Sequence, residues 1–327
     1  MIDNLIKYFN NKKIIILGFG KEGQSTYNFI RRYLKLIHLY IADKKSNFQD
    51  NYEYLKNDEN VTFLDGDNYM DNLEDYDIIM KSPGISFVNV DTSKFISKIK
   101  SQLELFLEFF EIFTIGVTGT KGKSTTSSLI YKILQDQNVN SMLLGNIGAP
   151  IFDFIDKFEK DMILVLEMSS HQLEYVEKSP NIAVLLNVYE EHLDHYESFD
   201  KYIASKCNIF KYQNESDYLL FNSEDKILSN FVKDVNSRVL KVSFNNIGDC
   251  NIYLNNGNVY YNDLVIYNKD EPRNLVGNYN LSNINIYIVL YFIDISFLIT
   301  IHIHDDLINE ISTVKCGGYF IIGSFLR

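Results

Sequence analysis

The run Gly116-Val117-Thr118-Gly119-Thr120-Lys121-Gly122-Lys123-Ser124-Thr125 carries the residue types needed to hold a polyphosphate. Glycines at 119 and 122 leave backbone N–H groups open to an anion, and a helix beginning near Ser124 adds free amides and the positive end of its dipole. Lys123 is placed to reach the β and γ phosphates, and the Ser124 hydroxyl to meet magnesium. The generic loop of Gly, four residues, then Gly-Lys-Ser/Thr is not matched literally, because Val117 stands where its first glycine would and Gly116 lies one residue further back. The strand, glycine and helix context keeps the physics, and the chemistry expected is that of an ATP-using enzyme.

Three further groups could join it. Glu167 follows the apolar run Met162 to Leu166, at the carboxyl end of a strand, where open α/β sheets bind ligands; it suits magnesium, which prefers oxygen donors, although a solvated or capping carboxylate explains it equally simply. The run Ile182 to Leu186 leads into Asn187-Val-Tyr-Glu190-Glu191-His192-Leu-Asp194-His195, again a histidine and acids just past a strand. Zinc is the rival metal, but no cysteine is near and the set is rich in carboxylates. Lys206 lies four residues after Tyr202, three after Ile203 and four before Phe210, on the apolar stripe of a helix expected over 199–212. A lysine facing a core is costly unless paired or chemically altered; snorkelling to solvent is the alternative.

The elements that position these groups read as two α/β units. Lys12 to Leu17 is a buried strand, followed by Gly18-Phe-Gly20-Lys21-Glu22-Gly23, a helix through Tyr33 and a strand ending at Asp43, twenty residues after Gly23. This is a Rossmann-type βαβ unit, with Asp43 placed for a sugar or base; dinucleotide binding, another nucleotide and simple tight packing all fit it. A strand over 77–80 leads into Lys81-Ser82-Pro83-Gly84-Ile85. The second unit opens near Ile112, and Asn255-Asn256-Gly257-Asn258 signals a late antiparallel hairpin. The expected organisation is an N-terminal Rossmann-like domain (1–110), a P-loop ATPase-type α/β domain (111–293) and a divergent tail (294–327).

Composition narrows the partners. A chain of 327 residues suits two or three domains, and a net charge of −12 gives no basic footprint for nucleic acid. Cys207, Cys250 and Cys316 show no paired or metal-type spacing, which with the lack of a signal-type apolar core before Lys12 leads us to expect a cytoplasmic protein. The run Ile286 to Ile301 is interrupted by Asp294 and falls short of about 20 apolar residues, so a buried helix and strand are favoured over a membrane span.

Gly-Val-Thr-Gly-Thr-Lys-Gly-Lys-Ser-Thr, Glu-Met-Ser-Ser-His-Gln-Leu-Glu, Asn-Val-x-Glu-x-His-x-Asp-His-Tyr and Tyr-x-Ala-Ser-Lys together resemble the Mur ligase family, from about residue 12 to about 285. The Ser-Ser-His-Gln-Leu-Glu version, the opening Gly-Phe-Gly-Lys-Glu-Gly and Lys-Ser-Pro-Gly-Ile look most like its D-glutamate-adding branch. The resemblance implies an ATP-dependent amide ligase of peptidoglycan precursor synthesis. The carboxylate of UDP-N-acetylmuramoyl-L-alanine would attack the γ-phosphate to give an acyl phosphate, and the amine of D-glutamate would displace phosphate. It further implies that Gly119, Thr120, Lys121, Gly122, Lys123, Ser124 and Thr125 hold ATP phosphates and magnesium, that Glu167 and His192 hold a second magnesium, and that Lys206 is carbamylated. Asn146 and Ser169 would contact the muramoyl substrate; Gly18, Gly20, Lys21, Glu22, Asp43, Lys44 and Ser82 would line the uridine side.

The likeness then decays. The family's Gly-x-His-Asn-x-x-Asn adenine motif appears as Gly277-Asn-Tyr279-Asn280-Leu-Ser-Asn283, keeping Asn280 and Asn283 and losing the histidine. The family's third domain has no counterpart in the sequence, so a shortened, monomeric product with turnover far below a complete enzyme's is expected. A catalytically silent nucleotide-binding protein, a folylpolyglutamate-type or other Mur ligase, and a nicotinamide-dependent dehydrogenase built on Gly18, Gly20 and Gly23 remain open alternatives.

Overall fold

The computed structural model describes residues 1–146, 149–243, 249–256, 258–261 and 264–267. Asn280, Asn283, the apolar run 286–301, Cys316 and the whole segment 294–327 lie outside the described residues.

Apolar runs without polar alternation make strands buried on both faces, which is what a parallel sheet covered by helices requires. Helix α1 (Ile2–Phe9) leads to β1 (Ile14–Leu17), whose four residues are all buried. There follow α2 (Lys21–Tyr33), β2 (Leu39–Asp43), β3 (Val61–Asp65), β4 (Ile78–Lys81), the two-residue β5 (Ile99–Lys100) and α3 (Gln102–Phe109). The five strands form one parallel sheet in the order β3-β2-β1-β4-β5. This is the expected Rossmann-like unit.

The second sheet begins with β6 (Phe113–Thr118), which enters the glycine loop and α4 (Lys123–Asp136). It continues through β7 (Ser141–Gly145), β8 (Ile163–Glu167), α5 (Ser170–Leu173), β9 (Ile182–Leu185), α6 (Leu193–Tyr196), α7 (Phe199–Lys211), β10 (Tyr218–Asn222), α8 (Lys226–Phe231), β11 (Arg238–Ser243), β12 (Ile252–Asn255), β13 (Asn258–Tyr261) and β14 (Leu264–Tyr267). The described strands lie in the order β14-β13-β12-β11-β10-β9-β6-β8-β7. From β7 to β12 they are parallel; β12, β13 and β14 pair antiparallel, as the hairpin signal predicts. The sequence expectation of two successive α/β units therefore holds.

The two sheets are joined by a common apolar seam. The Phe29 ring of α2 packs 4.8 Å from Phe152, and Phe106 of α3 packs 5.3 Å from Phe158, centroid to centroid. Arg32 and Tyr33 both bond Asp156 at the rim of this contact. Burying several aromatic side chains across such a seam contributes about 1.5–3 kcal/mol for each one fully covered.

The turn from β1 into α2 depends on a glycine for space. A Cβ on Gly23 would lie 2.2 Å from the carbonyl oxygen of Gly18, a backbone atom that cannot step aside, whereas a Cβ on Gly20 would meet nothing within 4 Å. Gly23→Ala is expected to lower stability by about 1–3 kcal/mol in urea unfolding. Gly20→Ala, at the N-cap of α2, should cost less than about 1 kcal/mol; equal midpoints for the two variants would contradict this.

Candidate active site

The carboxyl ends of β6, β8 and β9 are neighbours in the second sheet, and the three sequence-singled segments emerge there side by side. The glycine loop after β6 is held from below by the segment after β9. The Thr120 amide donates to the Asn187 carbonyl at 2.9 Å and the Lys121 amide to Asn187 Oδ1 at 2.9 Å, while Asn187 Nδ2 donates back to the Lys121 carbonyl at 3.0 Å. Thr120 Oγ1 accepts from the Tyr189 amide at 2.9 Å and shares a hydrogen bond with the Tyr202 hydroxyl at 3.0 Å. Gly122, at φ +87°, is the N-cap of α4. The loop is thus preorganised by protein contacts, and the first amides of α4 have no preceding turn to bond.

Two lysines end on one oxygen. Lys123 Nζ curls back onto the Gly119 carbonyl at 2.9 Å and the Thr120 carbonyl at 3.1 Å. Lys206, only 1% exposed, donates to the same Gly119 carbonyl at 3.0 Å, with its ammonium 4.8 Å from the centre of the Tyr202 ring. Burial is the main force that pushes Lys206 down to about 7, and the nearby charge of Lys123 adds to it. Burial lowers Lys123 as well, with Glu167 partly opposing. The helical stripe carrying Tyr202, Ile203 and Phe210 turns Lys206 inward, so of the two readings its spacing left open, burial holds and snorkelling does not.

Glu167 closes β8, is 1% exposed, and accepts from Asn146 Nδ2 at 2.8 Å through Oε1. Its other oxygen, Oε2, is buried without a hydrogen-bond partner among the described residues. Asn146 reaches it because Gly145, at φ +103°, brings the end of β7 against β8: a Cβ there would lie 2.2 Å from the Glu167 carbonyl oxygen. An orphaned carboxylate oxygen costs free energy unless a cation or donor arrives. Among the described residues no three His, Cys, Asp or Glu side chains converge into a preformed metal cage. A lone carboxylate beside a phosphate loop and the Ser124 hydroxyl nevertheless suits magnesium, which keeps several waters and takes its remaining oxygens from phosphate. An unmodified Lys206 ammonium does not suit it; a carbamate on that nitrogen would.

Lys123, Asn146, Ser169, His192 and Lys206 line one cavity of about 330 Å³, to which the first domain adds Pro83 and Gly84. Ser124 and Thr125 face outward on the first turn of α4. Ser169 caps α5 in a reciprocal capping box with Gln172. A larger cavity of about 670 Å³ lies elsewhere, on the far side of His195, and touches none of the phosphate-loop residues.

The uridine-side candidates gather at the other sheet's carboxyl edge. Ser82 Oγ donates to the Gly18 carbonyl at 2.7 Å, fastening the first glycine turn. Asp43 accepts from the Phe19 amide at 2.8 Å and the Lys45 amide at 3.0 Å, so it braces that turn in addition to any contact with a sugar. Lys21 and Lys44 are exposed. Glu22 turns toward the second domain and accepts from Gln172 Nε2 at 3.0 Å; burial raises its carboxyl above the usual range, against that hydrogen bond.

Several groups at the site were not singled out from sequence. Asn187 and Tyr202 shape the phosphate loop, and His171 lines the cavity with its ring 4.8 Å from His192 and 4.3 Å from His195. Burial first, then the neighbouring imidazoles, push His171 down to about 4. His171 sits inside the Ser-Ser-His-Gln motif, and that was the available signal.

Comparison with known proteins accounts for this arrangement. Residues 12–101 match the Mur ligase MurD-like N-terminal domain, and residues 117–291 the Mur ligase middle domain. The UDP-N-acetylmuramoylalanine–D-glutamate ligase of Clostridium tetani is 31% identical over 281 residues, covering 85% of this chain and 61% of its own length. That of Clostridium kluyveri is 32% identical over 291 residues, covering 86% and 62%. The chain thus spans about three fifths of the length of the curated relatives it matches. In fold alone it is similar to the UDP-N-acetylmuramate:L-alanyl-gamma-D-glutamyl-meso-diaminopimelate ligase of Neisseria meningitides, with a TM-score of 0.51 at 15% identity over 87% of this chain and 94% of that one. By its MurD-like first domain and its matched middle domain, which implies ATP binding, the chain belongs to the Mur ligase family.

Proposed function

We propose that the chain carries the UDP-substrate and ATP sites of a D-glutamate-adding Mur ligase. The observation that carries this reading is the convergence of Lys123 and Lys206 on the Gly119 carbonyl, with the unpartnered oxygen of Glu167 at the end of the adjacent strand. Two lysine nitrogens on one neutral oxygen, and a buried carboxylate with one oxygen unpartnered, form a site suited to a polyphosphate and a divalent cation.

In the proposed reaction the carboxylate of UDP-N-acetylmuramoyl-L-alanine attacks the γ-phosphorus of ATP, forming an acyl phosphate and releasing ADP. The amine of D-glutamate then attacks the acyl carbon, loses its proton and expels phosphate. Lys123 leaves the Gly119 and Thr120 carbonyls for the β and γ phosphates, and loop amides from 119 to 125 donate to the remaining oxygens. Asn146 and Ser169 face the same cavity as His192 and orient the muramoyl end, while Gly18, Gly20, Lys21, Glu22, Asp43, Lys44 and Ser82 hold the uridine diphosphate end. Ser124, Glu167, His192 and Lys206 as its carbamate would hold magnesium, which supplies charge neutralisation at the phosphates. The matched Clostridium relatives carry this activity in their names. No described helix is long and apolar enough to cross a membrane; a cytoplasmic monomer is part of the proposal.

Isothermal titration with UDP-N-acetylmuramoyl-L-alanine and, separately, with magnesium-ATP should give two independent binding isotherms. Lys123→Ala should lose the second and keep the first; unchanged ATP affinity in that variant would refute the role given to Lys123. A second expectation concerns Lys206. A lysine with its pKa near 7 exposes a neutral amine as pH rises through that value, and a neutral amine is the form that adds carbon dioxide. In ¹³C-bicarbonate the chain should show a carbamate carbonyl resonance that grows with pH across this window and is absent from Lys206→Arg. Identical spectra for the two proteins would exclude the modification.

A further inference from the structure

Next to the cavity, and outside the phosphate loop, a buried trio of polar side chains spans the two domains. Lys81, the last residue of β4, has a side chain only 4% exposed, with Nζ 3.2 Å from Glu174 Oε2. The same Glu174 oxygen lies 3.1 Å from His195 Nε2. Lys81 also lies 5.4 Å from the centre of the Tyr175 ring, and its charge acts on Glu22 of its own domain. A third tie crosses the boundary: Ser86 Oγ donates to the His195 carbonyl at 3.1 Å.

These contacts end on an element that cannot hold its own shape. Helix α6 has four residues and is bracketed by two non-glycine residues in the left-handed region, His192 at φ +58° and Glu197 at φ +60°. A single helical turn has little intrinsic stability, and left-handed backbone persists only where the surroundings fix it. Tyr196 packs α6 against Tyr202 of α7, with ring centroids 5.4 Å apart; the rest of its fixing comes from the trio and the imidazole row His195, His171, His192, with ring centroids 4.3 and 4.8 Å apart. Only His171 and His192 of these reach the cavity.

We propose that Lys81 is a positioning residue: through Glu174 and His195 it fixes His171 and His192 at the cavity, so the placement of the first domain sets the orientation of a group in the second. A buried ammonium is tolerated only with its partner, and withdrawing it leaves the Glu174 carboxylate without a cation, held by His195 and the Tyr175 hydroxyl. Glu174 and His195 then relax together, and the imidazole row moves with them. The inference rests on the proposed function only in treating His192 as a ligand-facing group; the mechanical link is independent of it.

The chain contains six histidines, so their ring signals can be assigned by His→Gln substitution and followed by ¹H–¹⁵N correlation at a single pH. Lys81→Met is expected to shift the ring resonances of His195, His171 and His192 while leaving His38 in place, and to weaken UDP-N-acetylmuramoyl-L-alanine binding several-fold. Lys81→Arg, which keeps the charge, should restore both. If Lys81→Met does not fold, the double variant Lys81→Met/Glu174→Gln removes both charges at once and reads the same resonances without stranding a buried ion. Shifts confined to His195, with His192 unmoved, would overturn the proposal and leave Lys81–Glu174 a purely structural pair. Failure of the unsubstituted chain to bind the UDP-substrate would count against the function proposed above, while the spectra would still decide this inference.

Discussion

The Gly119 carbonyl is the point on which the site turns. It receives the ammonium groups of Lys123, from the helix that follows the loop, and of Lys206, from a helix packed across the sheet. Two like charges on one neutral oxygen repel, and the protein interior strengthens that repulsion relative to water. Burial lowers both lysines, and the charge of Lys123 adds to the shift of Lys206, to about 7. Glu167 presents the complementary problem one strand away, a buried carboxylate with one oxygen satisfied by Asn146 and the other by nothing described. The polypeptide has folded into an arrangement in which an anion at the loop and a cation at Glu167 each relieve an electrostatic cost. The fold supplies the position: parallel strands deliver the loop, Glu167 and the segment from Asn187 to His192 to one sheet edge.

The second constraint is that the cavity belongs to both domains. Pro83 and Gly84 come from the first domain and the other lining groups from the second. Polar ties, Glu22 to Gln172, Ser86 to His195 and Lys81 to Glu174, lie above an aromatic seam that includes Phe29 and Phe152. Apolar burial gives the seam its strength, and the directional polar ties give it register. A substrate with a uridine diphosphate at one end and a reacting carboxylate at the other would need that register, because reacting groups misplaced by about 1 Å lose much of their rate.

Much of this was legible in the sequence, for identifiable reasons. Buried parallel strands are continuous apolar runs, so β1, β6, β8 and β9 announce themselves. The glycine loop is local, with its chemistry and helix start written within ten residues. Lys206 betrays itself by falling on the apolar stripe of α7. What could not be read is whatever depends on packing between distant segments. Nothing local says that Lys81 meets Glu174, or that Asn146 satisfies Glu167, because those contacts arise only after Gly145 lets β7 close on β8 and the first sheet docks on the second. Asp43 shows the converse: its spacing suggests a ligand contact, yet both its oxygens also hold backbone amides of neighbouring turns.

A crystal structure of the chain with magnesium-ADP tests the central claim most directly. The account predicts the diphosphate seated against the amides of residues 119–125, with Lys123 Nζ withdrawn from the Gly119 and Thr120 carbonyls and bonded to a phosphate oxygen. A nucleotide bound away from this loop, or one bound there with Lys123 still on the Gly119 carbonyl, would contradict it.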